Sequence, residues 1–350
     1  MSTPLNTSRQ KINIGVVGAT GVVGETFLSL IDEREFPAGE IRLFASEASV
    51  GLTRTCLGQE WPVQTLKDGC FDGLNLVFFS SGEEISEVWA PKAVAAGAMA
   101  VDNSSAFRMN DKFPLVVPEV NGDLLPPPSK PTIIANPNCS TIQLVVALNP
   151  LSKKFGLKSV RVASYQSVSG AGRNGIEELF SSTRQALEGE EPKPTTFPAS
   201  IAFNCIPQIG VFGEDGFSSE EAKIMNETCK ILRLPDLPVS AFTVRVPTMN
   251  AHAEAAWVTL KTDSATQSQV ETALKAQDGL ELGAPVEGPV ATVNYPMQTT
   301  VSGRDPVYVG RVHRDRADRA TWLMWIVSDN LRKGAALNGI QIAERIFDLT

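Results

Sequence analysis

A cysteine placed at the start of a helix is the pattern in this chain with the clearest chemical consequence. Residues 131–150 read PTIIANPNCSTIQLVVALNP: a short apolar strand, a Pro-containing turn, then an amphipathic helix opening at Cys139, with Ser140 and Thr141 in its first turn. A helix N-terminus presents unpaired backbone N–H groups and a partial positive charge of roughly half a unit. A thiol held there is biased toward thiolate, the nucleophilic form. The competing reading is a small buried apolar residue, which is what most free cysteines are.

Groups that could serve such a nucleophile are few. The chain has two histidines, His252 and His313. Imidazole titrates near neutrality and can move protons. His252 opens an apolar strand, where a proton-transfer group and a satisfied structural histidine both fit. His313 lies in VHRDRADR, expected to be a solvated charged loop. Arg245 alternates with Phe242, Val244 and Val246 along a strand and is expected to face away from them; its rigid fork suits a carboxylate. Glu220 and Lys223 sit three apart on one helical face, as a surface ion pair or as a substrate contact. Gln166 is neutral and can hold an acyl oxygen without changing the charge near a thiolate, although propensity alone turns it to solvent. Arg108, in NSSAFR, is equally compatible with a solvated surface.

The elements that must position these groups follow from the pattern. Residues 11–19 (KINIGVVGA) read as a buried strand, GATGVVG as a glycine turn at Gly18, Gly21 and Gly24, and residues 22–32 as the helix after it. Glycines allow a backbone to approach a pyrophosphate, and the helix N-terminus donates to it. A bare βα turn is the alternative. Strands at 40–45, 74–81 and 99–103, with a helix at 83–97 between, imply a doubly wound α/β domain with its ligands at the strands' carboxyl ends. Ser80-Ser81-Gly82, Asn103-Ser104-Ser105 and Asn136-Pro137-Asn138 fall there. After the second strand stand Ser46, Glu47 and Ser49, with Arg54 close by. The serines and the arginine suit a 2′-phosphate and so NADP, whereas Glu47 pulls toward NAD.

In the second half, a strand at 160–169 is expected to precede a helix at 175–187. A helix at 217–232 is expected to be capped by Ser218 with Glu221 in a capping box, which leaves Glu220 free for substrate. Residues 239–248 and 252–262 read as two antiparallel strands joined by a short turn. A helix at 267–276, strands at 307–312 and 320–328, and an amphipathic helix at 331–346 complete the chain.

The whole chain limits the alternatives. Its 350 residues suggest two domains. Apolar content of 43% and charged content of 20% are those of an ordinary soluble globular protein. A net charge of −8 without a basic stripe argues against nucleic acid. The N-terminal stretch has no apolar core, so no signal peptide is expected, and no apolar run is long enough to span a bilayer. Five scattered cysteines suggest neither disulfides nor a metal site, and a cytoplasmic location is expected.

GATGVVG, NSSAFR, NPNCST, YQSVSGAG, EEAK, RVPTMNAHAE and DNLRKGAALNGIQIAE occur in one order over nearly the whole chain. Together they resemble the aspartate-β-semialdehyde dehydrogenases. The resemblance implies a Rossmann-type nucleotide domain, residues 1–138 with 330–350, and an α+β catalytic and dimerisation domain, residues 139–329. It implies reduction of aspartyl-4-phosphate by NADPH to aspartate semialdehyde, toward lysine, methionine and threonine, by a homodimer or homotetramer. It makes Cys139 the nucleophile, Gln166 the residue that orients the acyl group and His252 the acid/base. Arg245 would bind the substrate carboxylate, Glu220 and Lys223 the amine and phosphate, and Arg108 the phosphate. The cofactor set would be Gly18, Ala19, Thr20, Gly21, Val22, Val23, Ser46, Ser49, Ser80, Ser81, Gly82, Ser169, Gly170 and Asn330, with no metal. One departure stands out: the family often has an arginine where this chain has Ala48, which thins the charge compensation for a 2′-phosphate. The acetylglutamyl-phosphate reductases share this cysteine logic, but usually carry glycine where this chain has Asn138 and lack the equivalent of Gln166. A non-catalytic relative would be expected to lose Cys139 or His252.

Overall fold

The computed structural model describes residues 11–285 and 294–349. The N-terminal stretch 1–10, expected to carry no leader, lies outside them. Two sheets organise these residues. The first contains β1 (Ile12–Val17), β2 (Ala38–Phe44), β3 (Thr53–Cys56), β4 (Gln59–Gln64), β5 (Leu76–Phe79), β6 (Met99–Asp102) and β7 (Ile133–Ala135). Their spatial order is β3-β4-β2-β1-β5-β6-β7, all parallel except β3, which returns against β4. The β3–β4 hairpin was not anticipated: TRTC and QEWPVQ are too polar to register as buried strands, and they sit on the exposed edge of the sheet. Helices α1 (Val22–Glu33), α2 (Glu83–Ala95) and the short α3 (Pro118–Asn121) follow β1, β5 and β6. The doubly wound reading is borne out.

The second sheet is mixed. Between the two sheets in sequence runs α4 (Cys139–Phe155). Then come β8 (Leu157–Gln166), α5 (Gly172–Leu187), α6 (Ser219–Leu232), β9 (Val239–Arg245), β10 (His252–Leu260), α7 (Gln267–Lys275), β11 (Leu280–Leu282), α8 (Gln298–Val301), β12 (Val307–Arg314), β13 (Thr321–Ser328) and α9 (Leu337–Ile346). The order is β11-β12-β13-β10-β8-β9. β9 and β10 do run in opposite directions, but they are not neighbours. β8 lies between them, parallel to β9 and antiparallel to β10. Adjacency in sequence misled because the connection crosses over a strand laid down some 80 residues earlier. His313 belongs to the end of β12 rather than to a loop, although it is exposed as expected.

One face of this sheet carries α4 and is dry: Val160, Val162, Ala256, Val258, Met324 and Ile326 are buried against it. The other face leaves Tyr165, Phe242 and Trp257 open, at 37%, 56% and 36% exposure. This explains the alternation in β9: the buried residues are Ala241, Thr243 and Arg245, while Phe242 points outward. The last helix opens with a π turn at Arg332–Ala336 and packs Leu337, Ile340 and Ile342 onto the first sheet with Ile14 and Phe78. Among the described residues no helix is long and apolar enough to cross a membrane.

Candidate active site

Strand register assembles the site. Across the second sheet Ser328, His252, Gln166 and Arg245 are aligned partners on β13, β10, β8 and β9, so these four residues form one transverse row across the strand ends. Cys139 begins the helix lying over that face. A cavity of about 680 Å³ joins Cys139, Gln166, Arg245, Arg108, Glu220 and Lys223 at one end to Thr20–Val23 and Ser80–Gly82 at the other. Ser169, Gly170 and Asn330 also line it; Gly18, Ala19, Ser46 and Ser49 do not. His252 is fully buried just behind the wall. A Cβ on Gly170 would lie 2.8 Å from Arg245 Nη1 and 3.2 Å from His252 Nε2, so a larger residue there would displace the Arg245 guanidinium and crowd the imidazole.

The turn before Cys139 is held by hydrogen bonds. Asn138 Oδ1 accepts from Ser140 N at 3.0 Å and Thr141 N at 3.2 Å, capping α4. Its Nδ2 donates to Glu220 Oε1 at 2.8 Å, and its own N–H donates to Glu227 Oε2 at 2.7 Å. The other oxygen of Glu227 takes Arg108 Nη1 at 3.1 Å, while Arg108 Nε and Nη2 donate to Asn136 O and Asn103 O. Arg108 is therefore a buried arginine and not a surface one, with three of its five N–H donors engaged. Gln166 is likewise buried, donating to Glu220 Oε1 at 3.3 Å. On the far side, Lys333 Nζ is shared among Glu119, Asn338 and Gln341, and Asn338 holds Asn136. A Cβ on Gly334 would meet Cys139 Cβ at 2.9 Å, so the π turn lies directly against the cysteine.

Glu227 and Lys333 escaped the sequence reading as site residues, whereas Asn138 was placed only within a ligand-facing turn. A signal existed for Glu227: it follows Glu220 at i+7 and Lys223 at i+4, on the same stripe of α6. The capping box was anticipated and is present, with Ser218 and Glu221 bonding each other's backbone, and it does leave Glu220 free to face the cavity. Lys223 Nζ lies 3.8 Å from Glu220 Oε2.

The electrostatics correct one expectation. The helix start was expected to favour the thiolate of Cys139, yet in this state burial, reinforced by the Glu220 carboxylate, pushes the thiol up to about 12 against the pull of Arg108 and Arg245. The helix N-terminus still pulls the thiol down through the Ser140 N–H, but desolvation and the Glu220 carboxylate outweigh it. Replacing Glu220 with glutamine is therefore expected to speed alkylation of Cys139 by iodoacetamide several-fold at pH 8, with the rate in the parent protein still rising by about tenfold per pH unit at pH 9–10. A plateau near pH 7 in the parent would contradict this assignment.

Burial, aided by the charge of Arg245, pushes His252 down to about 3, so its ring is neutral. The Ser167 backbone N–H donates to Nδ1 at 3.1 Å, which places the ring proton on Nε2, and that atom is buried without a partner. The imidazole is thus set as a hydrogen-bond donor. Burial also lowers Arg245, which donates to Ser167 O at 2.6 Å.

A dinucleotide fits the other end of the cavity. α1 and α2 both start there behind glycine N-caps, Gly21 and Gly82, without the side-chain cap that closes α4 and α6. Their N–H groups are free for an anion. The buried Ser81 Oγ has no partner. Thr20–Val23 and Ser80–Gly82 would hold the pyrophosphate, and Ser169, Gly170 and Asn330 the end nearest Cys139.

Comparison with known proteins agrees with this geometry. Residues 13–126 match the family model for the semialdehyde dehydrogenase NAD binding domain, and residues 148–333 that for the semialdehyde dehydrogenase dimerisation domain. The chain is 45% identical over 334 residues to the aspartate-semialdehyde dehydrogenase of Aquifex aeolicus (strain VF5), covering 95% of this chain and 96% of that one. It is 43% identical over 347 residues to that of Bacillus subtilis (strain 168), covering 97% and 98%. Among solved structures, Vibrio cholerae aspartate semialdehyde dehydrogenase II complexed with ASA superposes with a TM-score of 0.90 at 42% identity, covering 97% of this chain and 99% of that one.

Proposed function

Because the chain belongs to the aspartate-semialdehyde dehydrogenase family, we propose that it converts L-aspartyl-4-phosphate to L-aspartate 4-semialdehyde with NADPH, through a thioester on Cys139. The observation that carries this reading is the convergence on one cavity of a helix-start cysteine, two arginines and a Glu–Lys pair, with two uncapped helix starts at its far end.

In this reading Arg245 takes the substrate α-carboxylate and Glu220 the α-ammonium. The ammonium neutralises the charge that helps hold the thiol up. Cys139 Sγ attacks the acyl carbon; the C–S bond forms, the C–O bond to phosphate breaks, and the thiol proton departs with phosphate between Arg108 and Lys223. Gln166 and the Nε2–H of His252 donate to the carbonyl oxygen as it gains charge. A bound nicotinamide dinucleotide supplies the hydride. The thioester carbon accepts it, the C–S bond then breaks, the aldehyde leaves, and Cys139 takes a proton from solvent. The acid/base role given to His252 by resemblance thereby narrows to hydrogen-bond donation in the resting tautomer.

Two further parts belong to the same proposal. The division into residues 1–138 with 330–350 and residues 139–329 is supported by the packing of Leu337, Ile340 and Ile342 onto the first sheet. Assembly as a homodimer, or a tetramer built from it, is supported by the open apolar face at Tyr165, Phe242 and Trp257. A cytoplasmic location is supported by five free cysteines. The test is reduction of NADP and NAD side by side by aspartate semialdehyde, with and without phosphate. NADP reduction that requires phosphate is expected; reduction indifferent to phosphate would overturn the reading.

A further inference from the structure

Two arginines from opposite halves of the molecule meet on one carboxylate. Arg54 on β3 donates through Nη2 to Glu25 Oε1 at 3.1 Å, and Arg173, at the start of α5, donates through Nη2 to Glu25 Oε2 at 2.7 Å. Glu25 sits in the first turn of α1, its N–H bonded to Gly21 O, directly beyond the uncapped helix start. Ser49 is brought to the same place: its Oγ lies 3.4 Å from Thr20 Oγ1, and its carbonyl accepts from Leu52 N in the turn that leads into β3 and Arg54. Arg173 lines the cavity beside Thr20–Val23.

We propose that Glu25 holds Arg54 and Arg173 in reserve for the 2′-phosphate of a bound dinucleotide, Arg54 as the specificity-determining residue and Arg173 as a clasp from the other half. The proposal rests on the dinucleotide reading above and deepens it. Ala48 leaves the Ser46–Ser49 turn without a cation of its own, and the two serine hydroxyls add no charge. The two guanidinium groups exceed the Glu25 carboxylate by one positive charge, which the exposed Glu47 in the turn offsets, so the two donor forks and not net charge are what the turn offers a phosphate. The holding bonds are weak and exchangeable, since the side chains of Arg54, Glu25 and Arg173 are 27%, 36% and 52% exposed. A phosphate dianion with three acceptor oxygens competes for both forks better than a monoanionic carboxylate. An unphosphorylated ribose offers nothing to displace Glu25, so NADH gains nothing from either arginine.

The test is equilibrium binding of NADPH and NADH to the free protein, read from nicotinamide fluorescence without substrate, with 2′,5′-ADP as competitor. The parent protein is expected to bind NADPH more tightly. Arg54→Ala is expected to weaken NADPH by about tenfold and leave NADH within about twofold. Arg173→Ala should weaken NADPH by a few-fold and raise its dissociation rate, and Glu25→Gln should tighten NADPH alone. Equal losses for both cofactors in Arg54→Ala, no loss at all, or a parent preference for NADH would overturn the proposal while leaving the dinucleotide site standing. Failure of the parent to bind either cofactor would instead overturn the dinucleotide reading, and the proposal with it.

Discussion

Replacing Cys139 with alanine is expected to lower turnover by roughly four to six orders of magnitude, the loss typical of removing a covalent nucleophile. Nothing else can take its place. The other four cysteines lie outside the cavity, and its remaining polar side chains among the described residues are hydroxyls, amides, carboxylates and cations, none of them a thiol. A thioester is a good hydride acceptor and a thiolate a good leaving group, so serine in this position should also fail: an ester accepts hydride poorly and an alkoxide leaves reluctantly. Fluorescence titration should show NADPH binding retained in Cys139→Ala, because Thr20–Val23 and Ser80–Gly82 are untouched. Phosphate-dependent NADP reduction is the activity readout. Residual activity above about one per cent of the parent would remove Cys139 from the mechanism.

The second large effect is expected at Glu227, a residue with no contact to the reacting atoms. Its carboxylate is buried, and its pKa is raised by burial, opposed by Arg108 and the Asn138 N–H. One oxygen fixes Arg108; the other fixes the backbone of the residue before Cys139. Glu227→Ala leaves a buried guanidinium without its charge partner and a buried N–H without an acceptor, which together are expected to cost about 3–5 kcal/mol of stability. Glu227→Gln preserves shape and one hydrogen bond, and keeps the experiment interpretable if the alanine variant does not fold. It is expected to retain most of the thermal stability while raising KM for phosphate in the phosphorylating direction at least about tenfold, because Arg108 is no longer held facing the cavity. A merely structural role would lower Tm and leave KM for phosphate unchanged.

Much of this site was legible in the sequence, for local reasons. Cys139 at a helix start follows from the break in periodicity after NPN. The glycine turn and its uncapped helix follow from GATGVVG after an apolar run. The capping box at Ser218 and Glu221 follows from spacing alone, and with it the freedom of Glu220. Each depends on contacts within a few residues, where geometry is set by the chain itself.

Strand register, burial and charge could not be read that way. His252, Gln166 and Arg245 become neighbours only because β8 inserts between β9 and β10, a long-range pairing that local pattern does not encode. Propensity turned Gln166 toward solvent and left Arg108 undecided between surface and site, yet both are buried, because α4 and α6 close over them. The thiol of Cys139 is decided by tertiary structure as well: a helix start favours thiolate, but desolvation and a carboxylate brought in from α6 outweigh it. The sequence by itself determined which groups were present and which turns could present them. The fold alone decided which of them meet, how dry their meeting place is, and therefore that Cys139 rests as a thiol and His252 as a neutral ring before substrate arrives.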